Sequence, residues 1–309
     1  MINRRKFIGA SALSAIGSTL ISKGRAMSVL YRSLLKENHA VGLQLFTFFN
    51  VIDDDVNGTL KKIADIGYKE IESAFSKRGG LYGFKPKDFA SLINGLGMSW
   101  KSHHVLGAPF KLRPGAKMPT DANGNPIKIP ALPNLRDNMQ ELVDQASEGG
   151  IPYLVCANTP TDTLDEIKAS IETLNKTDEA CHKAGITFCY HNHDMEFHEV
   201  EGKIPYDLIL TETKLKMELD LAWAVKGGKD PVELFKQNPG RFPLWHVKDL
   251  DAERKTILPI GSGTIDYKRI FTASSTAGMQ HFFVEHDMPK DAFASIKASY
   301  DYITGTLKA

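Results

Sequence analysis

Short apolar runs alternate with amphipathic stretches along most of this chain, so the hydrophobic period switches repeatedly between two and about 3.6 residues. The first run is Val41-Gly-Leu-Gln-Leu-Phe46; helical spacing follows from Thr59 to Ile66 and stops at Gly67, a natural helix end. A second run, Tyr68 to Glu72, precedes helical spacing from Pro86 to Ile93, closed by Gly95 and Gly97. Met98 to Val105 is the third run, and Asn138 to Ala146 the helix after it. Tyr153 to Cys156 reads as a fourth strand, and Leu164 to Ala184 as a long helix ending at Gly185. Later strands are Ile186–Tyr190, Leu215–Leu219, Pro243–Val247 and His281–Glu285, with a last helix over Ala292 to Leu307. Eight strand-helix units in strict alternation predict an α/β chain with a parallel sheet, and at this length a closed (β/α)8 TIM barrel. A doubly wound open sheet would want a glycine-rich phosphate turn after an early strand. None is present, and the late Gly261-Ser-Gly-Thr-Ile-Asp266 reads as a loop.

Two segments do not fit the alternation. Residues 1–26 have a basic head (Arg4-Arg5-Lys6), a mild apolar run from Ala10 to Ile21, and a small polar end. That is the layout of an export signal, too short and too rich in Ser and Gly for a stable membrane anchor. The adjacent arginines resemble a twin-arginine signal with Asn3 in place of Ser or Thr, so a periplasmic location is expected. The barrel domain then occupies 38–309. Within it, residues 107–134 hold Pro109, Pro114, Pro119, Pro126, Pro130 and Pro133. A long loop leaving strand three, on the face where a barrel puts its active site, reads as a lid.

The composition narrows the class. Over 309 residues, Lys+Arg is 38 and Asp+Glu is 37, a net charge of +1, which gives no sequence-wide pull toward nucleic acid. A mean hydropathy of −0.24 excludes a multi-span membrane protein. Cys156, Cys181 and Cys189 form no CxxC or zinc-finger spacing and are expected as buried thiols.

Chemistry collects at the strand ends. Of ten histidines, His103, His104, His191, His193, His198, His246 and His286 lie at or just past presumed strands. Glu72, Asp194, Glu196, Asp220, Asp249, Glu285 and Asp287 join them there. So much like charge at one face is costly unless a cation compensates it. One divalent metal ion is the economical compensator, and mixed carboxylate and imidazole ligands suit Mn, Co, Fe, Mg or Zn.

The motifs Tyr190-His-Asn-His-Asp-Met-Glu-Phe197, Leu219-Asp-Leu-Ala-Trp223, Trp245-His-Val-Lys-Asp249 and Val284-Glu-His-Asp287 occur in that order. With them the chain resembles the sugar phosphate isomerase/epimerase superfamily, the xylose-isomerase-like TIM barrels, and an exported branch with the Tyr-His-Asn-His motif. The resemblance implies a metal held by Glu, Asp, His and Glu from strands five to eight. Asp220, His246 and Glu285 take the last three places. Strand five departs from the pattern, reading His191-Asn192-His193 with a carboxylate only at Glu196. Glu196 is the expected fourth ligand, because a second glutamate better neutralises a divalent ion; His193, then His191, are the alternates.

Such a set implies enolisation. A metal gripping a carbonyl and its neighbouring hydroxyl acidifies the C–H between them, and a carboxylate moves the proton. Glu196 and Glu285 are the expected carboxylates, with His193 and Lys248 as further catalytic contacts. Glu72, His104, His191 and Trp223 are the expected substrate contacts, although Glu72 could equally pair with Lys69 or Arg78. Phe46, Phe48 and Phe49 offer an apolar wall, and Trp245 either a sugar platform or barrel packing. The structural alternative for Lys248 and Asp249 is an ion pair at the strand end. The expected activity is isomerisation or epimerisation of a free sugar, keto-sugar or keto-glycoside through a metal-stabilised enediolate. β-Elimination by a dehydratase or 3-keto-glycoside lyase is the alternative on the same site. A non-catalytic sugar-binding protein is the alternative of another class, and an abasic-site endonuclease would need a basic face the chain lacks. A small-molecule carbohydrate is thus the expected partner, with no nucleic acid, and a homo-oligomer is open.

Overall fold

The computed structural model describes residues 39–109, 111 and 132–307. The expected export signal at 1–26 and most of the expected 107–134 loop lie outside them. Eight parallel strands close into a barrel in chain order: β1 Gly42–Gln44, β2 Glu70–Ser73, β3 Ser99–Leu106, β4 Tyr153–Asn158, β5 Thr187–His191, β6 Lys216–Asp220, β7 Leu244–Val247 and β8 His281–Val284. β1 pairs with β8 to complete the closure, with Leu43 opposite Val284.

The helices start where local chemistry allows. Asp55, Asn134 and Thr163 each accept a backbone N–H from the first turn they precede, closing otherwise orphaned donors. Pro86, Pro205 and Pro231 occupy first helical positions, where a missing N–H costs nothing. Gly67 ends its helix at φ +123°, against Tyr300, where a Cβ would collide with the phenol. No described helix is long and apolar enough to cross a membrane.

Alternation along the strands sorts side chains into two populations. One parity faces the helices: Leu43, Ile71, Leu154, Phe188, Met217, Leu219, Trp245 and Val284 all belong to the main apolar core. Trp245 is fully buried and stacks on Phe235 at 4.9 Å, so it is packing and not a sugar platform. The other parity fills the barrel. Val155, Cys189, Leu244 and Phe283 form a small apolar plug. Two residues further along, the interior becomes polar, and there the site begins. Cys156, Cys181 and Cys189 are free and buried, as expected. Burial pushes the Cys181 thiol up to about 12, leaving it inert.

Departures from the expected boundaries have local causes. β1 stops at Gln44 because the chain turns into a 3-10 segment, Leu45–Phe48, whose Phe46 N–H donates to the Gln44 side-chain oxygen. After β7 the chain forms a hairpin, Asp249–Leu250 against Ile257–Leu258, that the alternation did not announce. The last helix ends at Tyr302 and continues only as a wider turn to Leu307.

Candidate metal centre

Where β5 to β8 end, His191, Asp220, His246 and Glu285 present ligand atoms within 4.8 Å of one another. Directly below, Glu72, His104, Glu218 and His246 form a second group with the same spread. All seven residues are buried. Strand geometry explains the stacking: Glu218 and Asp220 are two apart on β6, so both point inward, one layer above the other. The β6–β7 register sets Asp220 opposite His246.

His246 joins the layers. Its Nδ1 lies 2.9 Å from Glu285 Oε2 and 3.9 Å from Asp220 Oδ2. Its Nε2 lies 2.5 Å from Glu72 Oε1 and 3.3 Å from Glu218 Oε2. Burial opposes a charge on this ring, yet Glu218, Glu285 and Glu72 outweigh it and hold the imidazole well above its ordinary value. With Nε2 given to Glu72, Nδ1 faces Glu285 and Asp220 and would be the nitrogen to ligate once its proton gives way to a metal ion, the usual arrangement behind a metal-bound histidine.

His191 is the complement. Its Nδ1 lies 3.3 Å from the Ala157 carbonyl, which only a donor satisfies, so the lone pair sits on Nε2. That nitrogen is buried, 3.5 Å from Asp220 Oδ2, and has no hydrogen-bond partner among the described residues. Burial, reinforced by His246 and His193, pushes His191 well below its ordinary value and keeps it neutral. A neutral, orphaned imidazole among carboxylates fits a divalent cation.

Glu196, the expected fourth ligand, belongs to neither cluster. The 3-10 turn Met195–Phe197 folds it back on its own strand, where Oε1 accepts from Tyr190 Oη at 2.9 Å and Oε2 from the His193 N–H at 2.9 Å. Burial disfavours its charge, but His193 and these hydrogen bonds hold the carboxyl below its usual value. Glu196 in turn outweighs burial at His193 and raises that imidazole. Of the three strand-five candidates, His191 is the one whose nitrogen lies in the cluster, while Glu196 supports His193.

Lys248 lies beside the upper layer. Its Nζ is 2.5 Å from Glu285 Oε2, 2.8 Å from Asp287 Oδ2, and 2.9 Å from Asp220 Oδ2, the last without hydrogen-bond alignment. Burial opposes its charge, but Asp220, Asp287 and Glu285 keep the ammonium well above its ordinary value. Lys248 and His246 hold Glu285 well below the carboxylate range despite burial. In the lower layer burial, then Glu285 and Asp220, push Glu218 up to about 7 against His246, and burial lowers His104 to about 4.

A cavity of about 200 Å³ opens above, lined by His104, His191, His193, Glu285 and Asp287 on one side and by Phe46, Phe49 and Phe75 on another. Glu72 lies beneath it, bound by Gln44, Ser102 and His246, and pairs with neither Lys69 nor Arg78. Trp223, an expected substrate contact, is not in this lining; its ring lies 6.1 Å from that of His193 and 5.3 Å from Lys248 Nζ. Phe48 is not part of the wall; it is buried against Phe293. His103 points toward Trp100 and Ser73, His286 bonds Ser295, and His198 is exposed. Asp249 does not pair with Lys248; it accepts the N–H groups of Gly261, Gly263 and Ile265. Glu218 and Phe75 went unread in the sequence, although Glu218 shares parity with Asp220.

Among solved structures the chain is similar to two of a sugar phosphate isomerase/epimerase from Parabacteroides distasonis. One is 27% identical with a TM-score of 0.70, covering 88% of this chain and 100% of that one. The other is 26% identical with a TM-score of 0.68, covering 87% and 94%. A zinc-bound IolI protein shares the fold at 15% identity and a TM-score of 0.63, covering 87% and 98%. No curated protein matches the chain. The model of the xylose isomerase-like TIM barrel family matches residues 60–304, and the chain belongs to that family.

Proposed function

We propose that the chain is a divalent-metal-dependent isomerase or epimerase of an uncharged keto-sugar or keto-glycoside. The observation that carries this is the convergence of His191, Asp220, His246 and Glu285 from four successive strand ends, with His191 Nε2 buried and unpartnered. A divalent ion held there would polarise a substrate carbonyl and acidify the adjacent C–H. The remaining work falls to the chain. Glu285, ionised and at the cavity edge, takes the proton; the Lys248 ammonium faces the negative charge that develops on oxygen. Returning the proton to the neighbouring carbon isomerises; returning it to the opposite face epimerises.

A specific observation also favours β-elimination. His193 lines the cavity and Glu196 raises its imidazole, favouring the protonated form that can donate to a leaving oxygen as the C–O bond breaks. We also propose that residues 1–26 direct export, which fits a substrate without phosphate.

The test begins with metal content in protein purified without chelator, for the parent, Asp220→Ala, His191→Ala and Glu196→Gln. About one ion per chain is expected in the parent and in Glu196→Gln, with loss in the other two. Keto-sugars should then take up solvent deuterium at carbon. A parent chain that takes up no Mn, Co, Mg, Fe or Zn would sink the proposal.

A further inference from the structure

The cavity has two unlike sides, and the one away from the metal centre is a corner of phenylalanine rings. Phe46 and Phe49 lie 5.2 Å apart between centroids at 33°. Phe75 stands across both, at 5.7 Å and 60° from Phe46 and at 6.0 Å and 73° from Phe49. Each ring is half-buried, so each still offers surface to an occupant.

Phenylalanine presents faces and edges but no N–H or O–H. A second sugar ring placed here could lay a C–H face on the rings, but the three phenylalanines offer its hydroxyls no partner, a cost at every group left unpaired. A phosphate would meet Glu285 and Asp287 across the cavity. Lys248 lies at the metal centre and not at the corner, and Lys77 is engaged by the Asn50 carbonyl and the Phe49 ring, 5.2 Å from its centroid. A flat apolar group loses nothing on leaving water and gains edge-to-face contacts from a corner of this shape.

The rim points the same way. Met288 lines the cavity with φ +45°, in the left-handed region that a non-glycine residue occupies at a cost, and stands 44% exposed. The corner is also fixed relative to the metal centre. Gln44 Oε1 accepts the Phe46 N–H at 2.9 Å while its Nε2 donates to Glu72 at 2.7 Å, and Glu72 holds His246.

We propose that the Phe46–Phe49–Phe75 corner is a subsite for a planar apolar aglycone, so that the substrate is an aryl glycoside and neither a sugar phosphate nor an oligosaccharide. The assignment rests on the carbohydrate reading above and adds the substrate's far end to it.

Calorimetric binding of phenyl β-D-glucopyranoside, methyl β-D-glucopyranoside, cellobiose and D-glucose 6-phosphate to metal-loaded and metal-free protein tests it. The phenyl glycoside is expected to bind about tenfold more tightly than the methyl one. In Phe46→Ala and Phe75→Ala that preference should fall to near unity, with methyl glucoside affinity and melting temperature unchanged. Phe49→Ala gives an independent third truncation should either variant fold poorly. Equal affinity for the two glycosides, tighter binding of cellobiose or the sugar phosphate, no binding of any probe, or a preference that survives the truncations would each overturn the inference. Metal uptake and deuterium exchange report separately on the proposed reaction. An aryl preference in a chain that takes up no metal upholds the subsite and removes the reaction; exchange without an aryl preference does the reverse.

Discussion

Glu72 is fully buried, and its work is done at the far nitrogen of His246, a residue of the proposed metal centre. Its Oε1 accepts from His246 Nε2 and Gln44 Nε2, and its Oε2 accepts from Ser102 Oγ. Carboxylates behind a ligating histidine fix its orientation and raise its basicity, and their loss typically weakens metal binding about 10–100-fold. Glu72→Ala is therefore expected to weaken metal affinity by that order in equilibrium dialysis. Glu72→Gln, whose amide oxygen can still accept, should recover part of it. An unchanged affinity in the alanine variant would show that His246 needs no such support. The same residues mark how far the sequence could be read. Asp220, His246 and Glu285 were legible because a barrel collects its strand ends at one mouth. Glu218 was not singled out because it sits inside an apolar run, although its position two before Asp220 puts it on the inner face. The choice between Glu196 and His191 depends on a 3-10 turn that returns Glu196 to Tyr190, and spacing alone does not report where a carboxylate five residues past a strand will point.

Asp249 shows the same limit at the level of elements. The sequence places it at a strand end among candidate site groups, yet it organises the loop that follows. Its oxygens accept from Gly261 N at 2.9 Å, Gly263 N at 3.0 Å and Ile265 N at 3.1 Å. Gly263 is required by this packing: a Cβ there would lie 2.2 Å from the Leu250 carbonyl and 2.4 Å from Asp249 Oδ1. The loop runs on to the helix Tyr267–Thr272, whose Tyr267 Oη donates to the Lys248 carbonyl at 2.5 Å. Asp249→Ala leaves several backbone donors without their charged acceptor, so a loss of about 2–4 kcal/mol is expected. Gly263→Ala should destabilise through the clash. Thermal melts check both, and metal content should hold in each, since neither residue touches the upper cluster. A melt unchanged in Asp249→Ala would mean the loop closes without it. The eight strands were legible because apolar runs alternate with helical spacing and glycine stops. The hairpin Asp249–Leu250 with Ile257–Leu258 was not, since two-residue strands carry no period.

For the whole molecule, a barrel filled with polar groups ties stability to pH through residues that never meet a ligand. His103 is buried on the helix side of β3, bonded through Nδ1 to Ser73 Oγ at 2.8 Å, and burial lowers it to about 3. An unfolded histidine titrates near 6.5. The folded value lies below the unfolded one, so the unfolded chain binds the proton first and His103 contributes stability above pH ~6.5. That contribution falls as pH drops from ~6.5 toward 3, with a slope of up to about 1.4 kcal/mol per pH unit. Glu218 pulls the other way: raised to about 7, it takes up its proton in the folded state well before it would in the unfolded one, so acidification from 7 favours folding. The parent profile therefore combines opposed slopes, and only a difference isolates one group. His103→Gln removes the titrating ring while keeping a polar side chain opposite Ser73. Its stability relative to the parent, measured by urea unfolding at pH 7 and pH 5, should improve at the lower pH, because the parent alone carries the histidine penalty. If the two curves stay parallel between those values, His103 is protonated as readily in the folded chain as in water, and its burial does not govern its titration.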